Sequence, residues 1–230
     1  LLPYDPGFAM GATLAEAANA GHPHLFVDIA DRLKAIHREV NEGSGETIGV
    51  LLRRTYDAAA ADVWDAVTDP DRLRRWFLPV SGDLREGGSF QVEGNASGEV
   101  LTCAPPKLLR LTWGAPTSVV ELRLTEDDDE RTTVELEHTV PKAMAGSGAG
   151  ALYVGPGWDG ALLGLGLYLG GEVHEGFDPV AAANAPETQR FNAGSIDAWA
   201  AAVAGSGTAS ADELAAAVAM AKGQYTPDVD

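Results

Sequence analysis

The hydrophobic pattern of the chain is sharpest from residue 48 onward, where it first has a period of two. Ile48, Val50, Leu52 and Tyr56 fall on one face of this alternation, which only Arg54 interrupts. Alternation of this kind is typical of a half-buried β-strand. The pattern therefore predicts a strand that runs straight into the helices described next.

Two short amphipathic helices are predicted directly after this strand. Their apolar stripes are Val63, Trp64 and Val67 in the first helix and Leu73, Trp76 and Phe77 in the second. Asp69 can cap the second helix because its carboxylate accepts backbone N–H groups, and Pro70 suits a first turn that needs no N–H donor. The order predicts a sheet whose concave face is closed at one end by a helical pair.

Segments of period two return after residue 80 and are separated by turn residues. Glycine pairs, asparagine and a proline pair mark the turns, because prolines cannot donate ladder hydrogen bonds. The apolar positions of the alternation are Phe90, Val92, Leu109, Leu111, Trp113, Val120, Leu122, Leu124, Val134, Leu136 and His138. These segments predict a six-strand antiparallel meander with one polar and one apolar face.

The segment before this core is predicted to be a helix. Phe26, Ile29, Leu33, Ile36 and Val40 recur at intervals of three and four, which is the spacing of an amphipathic helix. We assign a leading helix to residues 25–44 and a loosely attached arm to residues 1–24.

A long buried helix is predicted after a flexible glycine-rich join at residues 145–150. Trp158, Leu162, Leu165 and Leu169 recur at intervals of four, three and four. Glycines at positions 160, 164 and 166 weaken this helix, so we expect its backbone either to approach another surface closely or to leave room beside it.

The tail of residues 172–230 is predicted to form two alanine-rich helices. The first carries the stripe Phe191, Ser195, Trp199 and Val203, and the second carries Leu214, Val218 and Ala221. Ser210 and Glu213 form a capping-box pattern at the start of the second helix, which should end near Gly223. Helices this poor in large apolar residues are marginal alone, so we expect them to dock on the main body.

Several short motifs resemble, in order, the family named for the activator of heat-shock protein 90 ATPase, within the SRPBCC or START superfamily. They are Arg54-Thr55-Tyr56-Asp57-Ala58, Val63-Trp64, Thr68-Asp69-Pro70, Arg75-Trp76-Phe77, Gly87-Gly88, Gly98-Glu99-Val100, Pro105-Pro106-Lys107-Leu108 and Gly157-Trp158. The resemblance covers residues 45–171 and leaves out residues 1–24 and 172–230.

The resemblance implies an α+β helix-grip fold, as in the START and birch-pollen-allergen proteins. In this fold a curved antiparallel sheet wraps a long C-terminal helix, and a cavity lies between them; here extra N- and C-terminal helices would be added. Residues 172–230 would then be a helical extension docked on a domain of residues 45–171. The family name leaves a stress-related role open but does not by itself imply a chaperone partner.

Composition excludes some partners. The formal charge of the 230-residue chain is −18 at pH 7, whereas nucleic-acid binding needs clustered Lys and Arg. The densest basic group is Arg53, Arg54, Arg72, Arg74 and Arg75, and aspartates stand among them, so we expect a solvated, ion-paired surface and no nucleic-acid partner. No apolar run reaches the ~18 residues of a membrane span, and no secretory signal is visible, so we expect a cytoplasmic protein.

The candidate ligand-binding residues are those that the alternation and the helical spacing turn toward the implied cavity. They are Trp76, Phe90, Val92, Leu111, Trp113, Leu122, Leu136, His138, Trp158, Leu162 and Leu165, and Leu109, Val120 and Val134 share their face. The alternative is that these side chains simply fill a solid core. A curved sheet around a glycine-containing helix tends to leave a pocket, so we expect an apolar cavity where three indoles converge.

Few residues offer chemistry beyond apolar packing. His138 is interpreted as an interior histidine with satisfied hydrogen bonds, and an acid–base or ligand-orienting role is the alternative. His22 and His24 lack a third ligand nearby in the sequence, so no metal is expected. The lone Cys103 is interpreted as a small core or edge residue. No nucleophile elbow is present, and we expect no catalytic constellation and no cofactor.

Three functional hypotheses remain. The leading one is a module that binds a small apolar or amphipathic molecule. The second is a cyclase, aromatase or hydrolase that uses His138 in the same cavity, and the third is a co-chaperone-like domain that binds a protein through its acidic surface. Enzymes of this superfamily generally need several convergent polar groups, and the inward positions are nearly all apolar, so the pattern favours binding.

Overall fold

The computed structural model describes residues 29–43, 46–173 and 185–228. Its eight strands are β1 (His37–Gly43), β2 (Thr47–Tyr56), β3 (Val80–Gly82), β4 (Ser89–Val92), β5 (Ser97–Ala104), β6 (Leu108–Trp113), β7 (Ala115–Glu126) and β8 (Thr132–Pro141). Neighbouring strands are antiparallel, in the order β1-β2-β8-β7-β6-β5-β4-β3. They form one sheet.

Helices cover one face and one end of this sheet. They are α1 (Ile29–Lys34), α2 (Ala60–Thr68), α3 (Pro70–Trp76), α4 (Lys142–Ala145), α5 (Ala151–Leu169), α6 (Pro186–Ser206) and α7 (Ala211–Tyr225), with a 3-10 turn at Gly148–Gly150 before α5. Strand β2 leads into α2 and α3, the strands β3 to β8 follow as a meander, and α5 closes the core. The predicted α+β helix-grip fold is confirmed.

Alternation along the central strands places their apolar side chains toward α5. In β8 the buried positions are Thr132, Val134, Leu136 and His138, and the residues between them are half-buried. His138 pairs with Val50 on β2 and with Val120 on β7, so these side chains lie on the same face. The period of two therefore determines which residues face the interior.

The start of α3 follows the capping chemistry expected from the sequence. The Asp69 carboxylate accepts the backbone N–H groups of Asp71 at 2.7 Å and Arg72 at 3.0 Å. Pro70 occupies the first turn. Because its cap is satisfied locally, α3 can begin at Pro70 with only Asp69 between it and the end of α2, and it holds Trp76 over the end of the sheet.

The predicted leading helix over residues 25–44 is wrong for most of its length. Within the described part, helix α1 ends at Lys34, and β1 begins at His37 and pairs with β2 along its whole length. Pairing with β2 supplies hydrogen bonds for this backbone, and it places Arg38 and Val40 on the same inward side. Tertiary pairing overrides the helical spacing, because the Arg38 side chain finds a buried partner there.

The join at residues 145–150 is more structured than a flexible linker. Ala145 ends α4, and the Ser147 side chain accepts the N–H of Ala149 at the start of the 3-10 turn. Gly148 and Ala149 are buried. A Cβ built on Gly148 would lie 1.7 Å from Thr208 Oγ1, so only glycine allows the tail to approach this closely.

The two predicted tail helices are present, and their side chains enter the main core. Phe191, Ser195, Trp199 and Val203 are all buried on α6, as their spacing predicted. The Ser210–Glu213 capping box opens α7, which continues to Tyr225 rather than ending at Gly223. Its fully buried residues are Ala217, Ala221 and Tyr225, whereas Leu214 and Val218 are half-buried. Helix α6 packs on α5 and β1, and α7 packs on α5 and α6.

Candidate functional site

A cavity of about 150 Å³ lies between the sheet, the α2–α3 pair and α5. The lining includes ten of the eleven residues proposed from the sequence, namely Trp76, Phe90, Val92, Leu111, Trp113, Leu122, Leu136, Trp158, Leu162 and Leu165. Leu109, Val120 and Val134, which share their face, also line it. The cavity thus brings together residues from α3, four strands and α5 that lie far apart in the sequence.

Aromatic rings form a continuous part of the cavity wall. The ring centroids of Trp113 and Trp158 are 5.2 Å apart, and those of Phe90 and Trp113 are 5.9 Å apart. Trp76 packs against Phe77 at 5.5 Å on the helical pair. These separations are typical of tilted aromatic pairs, which hold one another in place.

The polar groups of the wall are largely satisfied by the protein. Thr68 donates its hydroxyl to the Trp64 carbonyl at 2.7 Å, and the Trp76 indole N–H donates to the Ala66 carbonyl at 3.0 Å. The Trp158 indole N–H donates to His138 at 3.1 Å. No charged side chain belongs to the lining among the described residues. The predicted indole donors at Trp76 and Trp158 are therefore already used, and the wall is apolar.

Several lining residues were not identified from the sequence. They are Val67, Thr68, Leu73, Phe77, Val80, Leu84, Val100, Cys103 and Ala161. The helical stripes already contained Val67, Leu73 and Phe77, so periodicity could have found them. Val100 and Cys103 could not be found in this way, because a register shift between positions 100 and 102 of β5 turns both toward the cavity.

His138 is the one proposed site residue that does not line the cavity. It is 5% exposed and lies behind Trp158, with the two rings edge to face. Its Nδ1 accepts the Trp158 indole N–H at 3.1 Å, and its Nε2 is 2.8 Å from Ser118 Oγ. Burial lowers the pKa of His138 to about 4, so the ring is neutral at pH 7.

The hydrogen-bond directions determine which nitrogen of His138 carries the proton. An indole N–H can only donate, so Nδ1 must present its lone pair, and the proton of the neutral ring is then on Nε2. Nε2–H donates to Ser118 Oγ. His138 is therefore not arranged to take a proton from Ser118, as a general base acting on a serine nucleophile would.

A second buried polar cluster lies on α5 next to Trp158. The Asp159 carboxylate is fully buried and meets Arg38 Nε at 2.9 and 3.0 Å. Ser195 Oγ donates to it at 2.5 Å, and the Trp199 indole N–H at 3.1 Å. Burial raises the pKa of Asp159 to about 6, although Arg38, Ser195 and Trp199 all favour the ionised form. The cluster ties β1 and α6 to α5.

Comparison with known proteins identifies the family to which this chain belongs. The sequence model of one protein family, the activator of Hsp90 ATPase homolog 1-like proteins, matches residues 57–170 of this chain. The crystal structure of CalU16 from Micromonospora echinospora is 40% identical, with a TM-score of 0.60, and the match covers 74% of this chain and 98% of that one. The chain belongs to the activator of Hsp90 ATPase homolog 1-like family.

Two further matches agree with this family assignment. The solution structure of CalU16 is also 40% identical, with a TM-score of 0.61 and coverage of 74% of this chain and 96% of that one. EF2215 from Enterococcus faecalis, a conserved protein of unknown function, is 16% identical with a TM-score of 0.54, covers 76% of this chain and 96% of its own, and supports the fold alone. The sequence matches none of the curated proteins with which it was compared.

Of the two roles expected for the glycines of α5, a close approach to a neighbouring group is seen at Gly166. None of the glycines at positions 160, 164 and 166 lines the cavity. A Cβ on Gly166 would lie 2.7 Å from the Arg54 guanidinium, and a Cβ on Gly155 would lie 2.4 Å from the Trp199 ring. These two glycines thus give neighbouring side chains room against the helix, and the cavity owes its space to other positions.

The outer face of the sheet carries paired charges. Arg53 bonds Glu135 at 2.5 Å, Glu135 also bonds Arg123 at 3.0 Å, and Arg123 in turn contacts Glu121. Of the predicted surface arginines, Arg54 differs, because it donates to the Leu162 carbonyl at 3.0 Å and stacks on Tyr56. This face therefore offers alternating charges rather than a basic surface for phosphates.

The described residues contain neither a metal-binding cluster nor a membrane-spanning helix. Among the residues that the structure describes, no group of three or more His, Cys, Asp and Glu side chains is arranged to hold a metal ion. In the same part of the chain, no helix combines the length and the apolar character needed to cross a bilayer. His22 and His24, which belong to the arm, lie outside the described residues.

Proposed function

We propose that this family member binds a small apolar molecule, or the apolar part of an amphipathic one, in the cavity between the sheet and α5. The observation that carries the proposal is an apolar cavity of about 150 Å³ inside an otherwise packed core. Folding fills most interiors to high density, so a void of this size costs stability unless something occupies it. The ten lining residues predicted from the sequence are the proposed contacts.

The size of the cavity limits what it can enclose. An apolar cavity of about 150 Å³ in another protein stays dry and binds benzene, whereas pockets for drug-sized ligands measure about 300–1,000 Å³. The present cavity, at about 150 Å³, is at the small end. We therefore expect it to take a ligand of one or two rings, or to take one such group of a larger ligand.

The chemistry of the wall limits the charge of the enclosed group. Burying an ion without a partner is costly, and the described wall carries no charged side chain. A charged head group of an amphipathic ligand would have to stay at the opening. Leu84 is 36% exposed and belongs to the lining, so it marks a place where the wall meets solvent.

A titration with an apolar fluorophore tests the proposal. N-phenyl-1-naphthylamine added to the parent protein should give saturable enhancement of its own emission and quench tryptophan, because Trp76, Trp113 and Trp158 border the cavity. Naphthalene should displace it more readily than 2-naphthoate, which has the same rings and a negative charge. A parent protein that binds no probe saturably, and no naphthalene by calorimetry, contradicts the proposal.

A matched pair of variants locates the binding. Ala161→Leu adds three carbons to the wall of the cavity, and Ala204→Leu adds the same atoms to an exposed position of α6. The first should weaken probe binding by about tenfold or more, and the second should leave it unchanged. Equal affinity in the two variants would place the probe elsewhere on the protein.

The other two hypotheses gain no specific support. The enzyme hypothesis relied on His138, which lies behind Trp158 and has its lone pair already engaged. For a co-chaperone-like role, the described surface shows charge pairs on the sheet but no feature that defines a protein partner. The cavity is the feature that favours one function over the others.

A further inference from the structure

Two consecutive side chains anchor the middle of α5 in opposite directions. Trp158 faces the cavity and bonds His138, and Asp159 faces away and bonds Arg38 and the tail. The residues on either side are Gly155, Pro156, Gly157 and Gly160, so this part of the helix has few side chains of its own. Because the neighbouring glycines have no side chains to pack against the Trp158 indole, contacts from other elements are needed to hold the ring in one orientation.

Those contacts come from the sheet in a defined sequence. Ser118 on β7 accepts from His138 Nε2 at 2.8 Å, and His138 on β8 accepts from Trp158 Nε1 at 3.1 Å. Trp158 then packs on Trp113 at 5.2 Å, and Trp113 packs on Phe90 at 5.9 Å. A polar pair behind the wall is thus connected to the aromatic surface that faces the cavity.

We infer that Ser118 and His138 are positioning residues that hold the Trp158 indole in place as part of the cavity wall. The inference rests on the proposed binding function and deepens it, because it names the residues that shape the site without touching a ligand. Ser118 is 4% exposed and His138 5%, so neither meets solvent appreciably.

Packing alone does not account for this pair. Two apolar residues of the same shape would fill the space but would leave the Trp158 indole N–H without an acceptor, and an unpaired buried donor is costly. What the polar pair adds is direction, since Nδ1 accepts an indole N–H in one orientation only. Buried hydrogen-bond networks that are fully satisfied specify a single arrangement of the core in this way.

Loss of the acceptor should free the ring. Without Nδ1, the indole N–H would be buried and unpaired, and the cavity is the free space into which the released ring could rotate. The ring would then occupy space that a ligand needs. The structure therefore predicts that affinity changes at a residue that the ligand never contacts.

The tautomer of His138 can be tested in the unmodified protein. Nitrogen-15 spectra of the imidazole groups should show an unprotonated Nδ1 and a protonated Nε2 for His138 at pH 7. The resonances are assigned by their loss in His138→Asn. A protonated Nδ1 would overturn the inference, because that atom could not then accept from Trp158.

Two variants of equal shape test the positioning role. Asn at position 138 retains an acceptor close to that of Nδ1, and Leu has nearly the same shape without one. Hydrogen exchange of the Trp158 indole N–H, identified by its loss in Trp158→Phe, should be about tenfold or more faster in His138→Leu than in the parent protein. His138→Asn should remain close to the parent. Equal exchange in the two variants would overturn the inference.

Ligand binding provides the second measurement. The affinity for N-phenyl-1-naphthylamine should fall about three- to tenfold in His138→Leu, the factor that corresponds to one buried hydrogen bond, and recover in His138→Asn. Equal affinities with unequal exchange would also overturn the inference, since the indole would then move without affecting the site. If the parent protein binds no probe, the proposed function fails, whereas the exchange measurements still report on the indole.

Variants of Ser118, the other residue of the pair, keep the inference testable if His138→Leu fails to fold. Ser118→Ala removes the acceptor of Nε2–H, and Ser118→Thr retains a hydroxyl. Indole exchange at Trp158 should rise in Ser118→Ala and stay closer to the parent in Ser118→Thr. Unchanged exchange in Ser118→Ala, in a protein whose melting curve shows that it is folded, would overturn the role given to Ser118.

Discussion

The two faces of α5 are packed in opposite ways. On the sheet side, Trp158, Ala161, Leu162 and Leu165 border a cavity of about 150 Å³. On the tail side the Trp199 ring lies directly against the helix backbone, because a Cβ on Gly155 would come within 2.4 Å of it. The helix can face a void on one side because the contacts on the other side hold it in position.

The tail contacts are both apolar and polar. Leu163 and Leu167 pack with Phe191, and all three are almost completely buried. Next to them Asp159 bonds Arg38, Ser195 and Trp199. Without these contacts α5 would have only the sheet to rest on, and it would be expected to settle into the cavity. We propose on this basis that the tail and residues 46–173 form one folding unit.

Among the changes that test this comparison of the two faces, removal of the tail should lower the stability of the protein most. A chain ending at residue 171 would expose Leu163 and Leu167 and would leave Asp159 with Arg38 as its remaining partner. We expect it to melt far below the full chain or to fail to fold, because several core side chains each contribute about 1.5–3 kcal/mol on burial. Calorimetry of both chains checks this, and equal melting temperatures would show that the tail is an independent addition.

Alanine substitutions of two tryptophans, one on each side of α5, compare the packing of the two faces directly. Trp199→Ala should reduce the free energy of unfolding by about 3–5 kcal/mol, since the ring is fully buried and also donates to Asp159. Trp113→Ala should cost less, because this half-buried ring already borders a void. Urea denaturation measures both values. Equal losses would mean that the cavity side is packed as tightly as the tail side.

Acidification should change the stability contributions of His138, on the sheet side of α5, and of Asp159, on its tail side, in opposite directions. The pKa of His138 is lowered to about 4, so the unfolded chain binds more protons and the stability due to this group falls as the pH drops from 6.5 toward 4. The pKa of Asp159 is raised to about 6, so the stability due to it is full below 3.8 and is lost as the pH rises through 6. Between pH 6.5 and 5 the two contributions should oppose each other.

Single variants separate the two contributions. Relative to the parent protein, His138→Asn should gain about 1–2 kcal/mol in the free energy of unfolding between pH 6.5 and pH 5. Asp159→Asn should lose about 1 kcal/mol over the same interval. Denaturation curves at the two pH values give both numbers. The same sign for both variants would contradict the lowered pKa of His138 and the raised pKa of Asp159.

The smallest substitution that distinguishes the faces is one methyl group. Gly155→Ala should destabilise by about 1–3 kcal/mol through overpacking on Trp199, although alanine is intrinsically the better helix former by about 1 kcal/mol. Ala161→Val, which faces the cavity, should change the free energy of unfolding by less than about 1 kcal/mol. Thermal melts of the two variants suffice. A stabilising Gly155→Ala would mean that the Trp199 ring can move aside.

Much of the architecture could be predicted from the sequence because it depends on local spacing. Period two identified the strands from residue 89 to residue 138, and Asp69 with Pro70 and Ser210 with Glu213 correctly marked helix starts. The same alternation selected ten wall residues, since neighbouring strands in register point their inward side chains to one space.

What the sequence could not determine depended on partners distant along the chain. Ile36 and Val40 continue the helical spacing, but β1 begins at His37, because β2 offers an edge and Asp159 offers Arg38 a buried carboxylate. His138 shares the inward alternation yet lies behind the wall, because Trp158, 20 residues away on α5, covers it. Spacing along the chain determines which side a residue faces, whereas only the packing of α5 on the sheet decides what lies in front of it.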